Sequence, residues 1–365
     1  MDMRLDLNGR HRARTAVYAA PCGTLERLPK WLICIPLACQ WLGLALRYRS
    51  ATLPSSANPF ITSGGLVGEG KLEYFRGMGP VAKAATAPFV AITSDGKVSA
   101  IQLGKRLLAA GIPFPVVAKP DLGLCGYGVR KLANMAALLE YAAAFPLGET
   151  VVVQPYLEQE GEAGIFYARD PITGAGRIIG LALRYFPRVT GDGRHSISEL
   201  MAADPRAQRM ESVKHECCID TATIPQAGQV IRLATIGSTR VGGIYRDGSR
   251  HITPALTAAI DAIARDMPSF HCGRFDVRFD SLRELGAGHR FVIMEINGAG
   301  SEAIQAWDPD IGLLHAFRII FAKQRLLFAI GHAQRRKGAV PIGLLLLARL
   351  YRRQQRLIAL YPPSN

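Results

Sequence analysis

Arg274-Phe-Asp-Val-Arg-Phe-Asp280 and Phe291-Val-Ile-Met-Glu-Ile-Asn297 decide how this chain folds. Side chains that alternate with period two make each stretch a β-strand. In the first, Phe275, Val277 and Phe279 point one way, and Arg274, Asp276, Arg278 and Asp280 point the other. In the second, Val292, Met294 and Ile296 form the apolar face, with Glu295 and Asn297 opposite. Paired as neighbours, the strands bring Asp276, Glu295 and Asn297 into one oxygen-rich cluster beside two arginines. Hard oxygen ligands of this kind suit Mg²⁺ (or Mn²⁺), which completes its shell with water and substrate phosphates. Two edge strands with solvated polar faces are the alternative.

Upstream lies Phe114-Pro-Val-Val-Ala-Lys119-Pro-Asp-Leu-Gly123-Leu-Cys-Gly126-Tyr-Gly128-Val129. An apolar strand ends in a lysine, a loop with three glycines follows, and a short strand starts near Val129. Such a loop lets backbone N–H groups form an anion-binding nest, and the lysine adds a point charge for phosphate. The spacing G-x-x-G-x-G, with no G-K-[ST], is neither a Walker loop nor a dinucleotide fingerprint.

The order and separation of these two signals resemble the ATP-grasp superfamily, nearest to its D-alanine–D-alanine ligase and cyanophycin-synthetase-like branches. The resemblance covers about residues 112–303 and includes Val151-Val-Val-Gln-Pro-Tyr-Leu157 and Thr190-Gly-Asp-Gly-Arg-His-Ser-Ile-Ser-Glu-Leu200. It implies an α/β (α+β) fold in which two subdomains clasp ATP. Position by position, it implies that Lys119 and the loop glycines Gly123, Gly126 and Gly128 hold the phosphates. Gln154, Tyr156 and Leu157 match the adenine hinge. Glu162 matches the ribose acid, with Glu158 or Glu160 as alternatives. Asp276, Glu295 and Asn297 match the metal ligands. Arg274 matches the arginine that stabilises the tetrahedral oxyanion. Arg184 or Arg188 stands for a phosphate-contacting lysine, and Lys83, Lys97 and Lys105 compete for the family's other nucleotide lysine. Arg278, Asp280, Ser301 and Glu302 line the next shell, where Arg278 and Asp280 can also pair with each other. The implied reaction joins a small carboxylate to an amine through an acylphosphate. A kinase and a non-catalytic nucleotide- or lipid-binding scaffold are the other readings.

The net charge of +15 is uneven. Residues 1–50 carry eight Lys/Arg and three Asp/Glu, residues 311–365 carry ten Lys/Arg and no acid, and 51–310 carries 26 of each sign. Both basic flanks are also apolar. Residues 31–46 read WLICIPLACQWLGLAL between Arg27, Lys30, Arg47 and Arg49. They are shorter than the roughly 20 residues that span a bilayer, so an interfacial element on anionic lipid is expected. A helix hiding its apolar surface on the core is the alternative. Residues 311–331 and 341–360 read as helices, the second amphipathic and basic, separated by 331–338. A membrane surface fits these flanks better than nucleic acid, for which no stacking or groove-reading element is present. The beginning is too long and polar for a signal peptide.

Five segments follow: a flank over 1–50, a short region over 51–112, the lysine strand, loop and hinge over 113–160, the metal-bearing subdomain over 161–310, and a helical tail over 311–365. The region 51–112 shows no run of βα units. Its loop from Gly64 to Lys71 reads as a linker turn or as a phosphate or carboxylate contact. Seven scattered cysteines indicate a reducing compartment, hence a cytoplasmic protein, peripheral on the inner face of the membrane. A zinc set from His215, Cys217, Cys218, His271 and Cys272 matches no common module, and buried thiols are the simpler reading. Helices are expected from Asn134 to Phe145, from the capping box at Ser196, and from Thr253-Pro254 to Arg265. Strands are expected at 151–153, 165–168, 178–185 and 230–234. The oligomeric state stays open.

Overall fold

The computed structural model describes residues 22–94, 98–210 and 219–365. Lys97, His215, Cys217 and Cys218 lie outside these described residues. The fold is α+β, built on two antiparallel sheets. The first runs in the order β1-β4-β2-β3, from β1 (Val90–Thr93), β2 (Val116–Pro120), β3 (Arg130–Leu132) and β4 (Thr150–Pro155). The second runs β11-β10-β5-β6-β9, from β5 (Gly161–Arg169), β6 (Gly176–Tyr185), β9 (Ile244–Asp247), β10 (Cys272–Phe279) and β11 (Phe291–Asn297). A small pair joins β7 (Arg188–Thr190) to β8 (Val230–Arg232).

The helices that matter here are α1 (Lys30–Tyr48), α2 (Lys71–Arg76), α3 (Ala100–Ala109), α4 (Met135–Ala143), α5 (Ile197–Ala203), α6 (Pro254–Arg265), α7 (Leu313–Arg336) and α8 (Leu344–Leu360). The expected caps are present. Asn134 Oδ1 accepts from Ala137 N–H, Thr253 Oγ1 from Leu256 N–H, and Ser196 with Glu199 closes a capping box.

Each sheet has its own core. The second sheet buries Phe275, Val277 and Phe279 against α2 and α6. The first sheet buries Val116, Ala118, Val151 and Val153 against α3 and α4, and also against Leu357 and Tyr361. β1 lies before the expected division at residue 113, yet it is an edge strand of the lysine sheet, paired with β4 from Val90↔Val153 to Thr93↔Thr150. The region 311–365 is likewise no detached tail, since α8 closes the first core.

Two expectations need correction. Helix α7 runs through Gly331 to Arg336 instead of stopping near residue 331. Gly331 serves close packing there: a Cβ would lie 2.4 Å from the Leu53 carbonyl oxygen, and Ser56 Oγ donates to the Gly331 carbonyl at 3.0 Å. In β11 the alternation breaks. Asp276 faces Glu295 but Val277 faces Ile293, so Met294 is the extra residue of a β-bulge. Ile293 and Ile296 are therefore the buried residues, and Met294 turns to the side of Glu295, away from the apolar face.

Among the described residues, α1 is the one helix long and apolar enough by length and composition to cross a membrane, with 19 residues and a mean hydropathy of 1.3. One side of it packs on α7, where Gln40 Nε2 donates to the Phe321 carbonyl at 2.9 Å and Trp41 meets Phe328 edge-on at 5.0 Å.

Asn58 ties the region before the first sheet to the second. It is fully buried, donates to the Gly64 and Cys272 carbonyls at 3.0 and 2.8 Å, and accepts from the His271 and Cys272 amides. Asn58→Ala should leave these backbone groups unpaired and cost about 3 kcal/mol in urea unfolding; a loss below about 0.5 kcal/mol would show that water replaces the side chain.

Candidate functional site

The two sheets face each other across a cleft of about 380 Å³. Strand β10 supplies Arg274, Asp276 and Arg278 to one wall because its other face is committed to the core. Strand β11 adds Met294, Glu295 and Asn297. The opposite wall holds Lys119 at the end of β2, the loop residues Gly123 to Gly126, and Gln154, Tyr156 and Leu157 at the end of β4.

Lys119 crosses the gap. Its ammonium donates to the Met294 carbonyl at 2.7 Å, an oxygen placed in the cleft wall by the bulged residue. Burial pushes the Lys119 pKa down to about 8 against the pull of Glu295. Lys71, buried at the start of α2, lies 3.2 Å from Glu295. Burial alone would raise the Glu295 carboxyl; Lys71, Lys119 and Arg274 outweigh it and hold this acid below the usual carboxylate range.

The remaining charges also come in pairs. Arg274 grips Asp276 with two hydrogen bonds, Nε–Oδ1 at 2.6 Å and Nη2–Oδ2 at 3.0 Å. Asn297 Nδ2 donates to Asp276 Oδ2 at 3.3 Å. Arg184 lies 3.0 Å from Glu162 and 3.5 Å from Asp276. Although burial works against it, those two acids raise the Arg184 pKa, with Asp276 the larger influence. Arg278 sits 3.4 Å from Glu162 and donates to the Gln159 carbonyl at 2.8 Å. Glu69 lines the same cleft; its Oε2 is buried without a hydrogen-bond partner, and burial pushes its pKa up to about 7.

The expected residues separate as follows. Lys119, Gly123, Gly126, Gln154, Tyr156, Leu157, Glu162, Arg274, Asp276, Glu295, Asn297, Ser301 and Glu302 line one cleft. Gly128 packs behind the loop on Pro120 and Tyr361. Arg188 is not a lining residue; it lies 2.5 Å from Glu160 on β7, while Arg184 occupies the cleft. Glu162 is held between two arginines. Gln154 donates its side-chain amide to the Ala87 carbonyl at 3.1 Å. Arg278 and Asp280 do not pair: Asp280 meets Arg290 at 2.9 Å. Lys83 and Lys105 are exposed and outside the cleft. Lys71 and Glu69 were visible only as members of a glycine-rich turn, because nothing local says that Lys71 meets Glu295.

Among the described residues no group of three His, Cys, Asp or Glu side chains is arranged for a metal ion. Asp276, Glu295 and the Asn297 amide nevertheless fit Mg²⁺ by donor chemistry. They are hard oxygen donors at adjoining register positions, Asp276↔Glu295 and Arg274↔Asn297. Cys272 behaves as a buried thiol, its pKa pushed up to about 12 by burial.

Two antiparallel sheets clasp a cleft in an α+β fold, one with a lysine and a glycine loop and the other with arginine and oxygen donors. No family model matches the chain, and no curated protein matches it. The chain is similar in structure to a bifunctional glutathione synthetase from Pasteurella multocida, at 17% identity and a TM-score of 0.36, with 67% of this chain and 35% of that one covered. It is also similar to the D-cycloserine synthetase DcsG, at 14% identity and a TM-score of 0.36, with 72% and 69% covered. Likenesses of this size carry no argument about chemistry; the fold class rests on strand order and register.

Arg184 is shared by two buried acids, each of which keeps another arginine. Arg184→Met should destabilise the protein by about 1.5–3 kcal/mol, since Glu162 and Asp276 each lose one buried partner. Adding Glu162→Gln should recover part of that loss in a double-mutant cycle of urea unfolding. Strict additivity would show that the two side chains do not interact.

Proposed function

We propose that this protein is an ATP-dependent carboxylate–amine ligase that works at a membrane surface. The observation that carries this reading is the meeting of Lys119 and the glycine loop with Asp276, Glu295 and Asn297 in one cleft. Cations and backbone donors on one wall suit a polyphosphate, and oxygen donors on the other suit the hard cation that accompanies it.

Bound Mg²⁺, held by Asp276, Glu295 and Asn297, would supply charge neutralisation on the phosphates. Lys119, Lys71 and the loop N–H groups orient and neutralise the γ-phosphoryl group as it passes to a substrate carboxylate. An amine then attacks the acyl carbon, the C–N bond forms, and phosphate leaves with the oxygen it received. Arg274 is placed to stabilise the oxyanion of that attack. Its grip on Asp276 keeps the guanidinium aimed before substrate arrives.

The membrane part of the reading rests on α1. Trp31, Ile35, Leu42 and Leu46 project from its outer side, 66%, 50%, 61% and 79% exposed, between Arg27, Lys30, Arg47 and Arg49. Its inner side is bound to α7 through Gln40. A helix so held suits the plane of an anionic interface better than a span, which would break those contacts.

The test is MgATP turnover followed by ³¹P NMR, with pooled amino acids and lipid vesicles. ADP and free phosphate should appear only when a carboxylate and an amine are both present, and Glu295→Ala should abolish turnover while keeping the fold. A new phosphorylated product would replace the ligase with a kinase. Nucleotide binding without turnover under every condition would leave a scaffold. The Lys119 titration gives an independent check. Below about pH 8 Lys119 is charged; as pH rises through 8 it loses its proton and its attraction for phosphate. ATP affinity should therefore fall above pH 8, by up to about tenfold per pH unit, and Lys119→Arg should flatten the profile.

A further inference from the structure

Helix α8 touches the cleft on one side and solvent on the other. On the inner side Tyr361 Oη donates to the Leu122 carbonyl at 2.6 Å, and Gln354 Nε2 donates to the Gly123 carbonyl at 3.3 Å. The segment after the helix continues along the loop. Asn365 N–H donates to the Val129 carbonyl at 3.2 Å, and its side-chain amide both gives and takes a hydrogen bond with the Lys131 backbone. Ser364 Oγ accepts from Arg240, whose guanidinium also reaches the carbonyls of Cys125 and Gly126 at 3.1 and 3.3 Å. The glycine loop is thus pinned from behind through its carbonyl oxygens. In a trans peptide the N–H points opposite to the carbonyl, so donors on the Gly123 and Cys125 carbonyls turn the next N–H groups, those of Leu124 and Gly126, away from these donors, while Tyr127 N–H returns to the Leu124 carbonyl at 3.0 Å.

Among the described residues, nothing covers the leucines and arginines on the outer side of α8. Leu344, Leu345 and Leu346 are 66%, 79% and 50% exposed, and Arg349, Arg352 and Arg356 are exposed further along. No acid occurs anywhere in residues 311–365. Ile342 N–H donates to Ser55 Oγ at 2.8 Å, which sets the start of α8 beside the segment that follows α1. Consecutive exposed leucines beside unopposed arginines fit the boundary of an anionic bilayer, where leucines enter the acyl region and arginines meet lipid phosphates. A nucleic acid would leave the leucines in water.

We infer that α8 couples an anionic lipid surface to the glycine loop: lipid holds α8 in the position that keeps the loop carbonyls outward, so lipid and nucleotide bind with positive coupling. The inference rests on the nucleotide reading of the cleft. The lipid-facing and loop-facing sides of α8 are different, so both contacts form together. The first turn of α8 is held by Ile342 at Ser55, and lipid contact with its three exposed leucines would add to that hold. By linkage, whatever lipid does for nucleotide affinity, nucleotide does for lipid affinity.

The experiment is amide hydrogen exchange over Leu122–Lys131 in the full chain, with phosphatidylcholine vesicles with or without phosphatidylglycerol, alongside MgATP binding. Phosphatidylglycerol vesicles should bind the protein, slow exchange in the loop about fivefold or more, and tighten MgATP by a similar factor. Leu344→Ser with Leu345→Ser and Leu346→Ser should lose vesicle binding and both effects, with MgATP affinity in the absence of lipid unchanged. Arg352→Glu with Arg356→Glu replaces that variant if it fails to fold. Tyr361→Phe should keep vesicle binding while losing loop protection. Vesicle binding that leaves loop exchange unchanged would overturn the coupling. Equal binding to both vesicle types, or a dimer held together by the three leucines, would overturn the lipid assignment. If MgATP binds under no condition, the nucleotide reading falls, and loop exchange still decides the coupling.

Discussion

Lys119 joins the two halves of the molecule across the cleft, and its ammonium is one of several cations held there with little water. Lys71, Arg184, Arg274 and Arg278 share the cleft region with Glu162, Asp276 and Glu295, each cation within 3.5 Å of at least one of these acids. An unpaired charge in such a place costs several kcal/mol, so the pairing lowers the cost of burying these groups. Under the proposed reading, ligand entry is an exchange of partners. A polyphosphate takes over Lys71 and Lys119, and a hard cation takes over Glu295 and Asp276. No charge is stranded at the end, which lets a charged cleft serve a charged ligand without a large net electrostatic penalty. Glu69 lines the same cleft with an unpartnered oxygen, and burial pushes its pKa up to about 7.

How far the site was legible depends on which physical rule governs each part. The face of β10 was legible as far as Phe279, because Phe275, Val277 and Phe279 must alternate with Arg274, Asp276 and Arg278 in any flat strand; Asp280 lies past the strand's end and turns to Arg290 instead. The face of β11 was not. A bulge inserts one residue against a partner strand, and it is visible only when both strands are present. That single displacement moved Met294 off the apolar face and gave Lys119 its acceptor. Lys71 shows the same limit: its neighbours in sequence describe a turn, while its partner Glu295 comes from the other end of the second sheet. The choice of Arg184 over Arg188 also waited for structure, since β6 ends between them and only Arg184 faces the cleft.

The flanks were read correctly as apolar and basic, but composition could not say how much of each was already used. In α1 the answer divides the helix lengthwise. Ile33, Gln40, Trp41 and Leu44 serve the α7 contact, and among the described residues nothing buries Trp31, Ile35, Leu42 and Leu46 on the outer side. In α8 the division is similar, with Gln354 and Leu357 inward and the leading leucines outward. Both helices are amphipathic in an unusual sense, apolar toward the protein and apolar toward the surroundings, with cations at the margins. Under the proposed reading the outward apolar residues meet lipid and the cations at the margins meet its headgroups.

Fusion of α8 to the lysine sheet then follows from the same economy of contacts. Tyr361 stacks on Phe145 at 5.0 Å and reaches the Leu122 carbonyl, so one residue belongs at once to the core of the first sheet and to the back of the glycine loop. A loop rich in glycine is entropically costly to hold in a single conformation. It needs fixed donors behind it if its N–H groups are to be preorganised in front. The donors come from elements distant in sequence, Gln354, Tyr361, Asn365 and Arg240, and the first three lie on α8 or in the segment that directly follows it. Under the inferred coupling, order in the loop and the state of the protein's outer surface belong to one packed unit, so that a change at either end would be felt at the other.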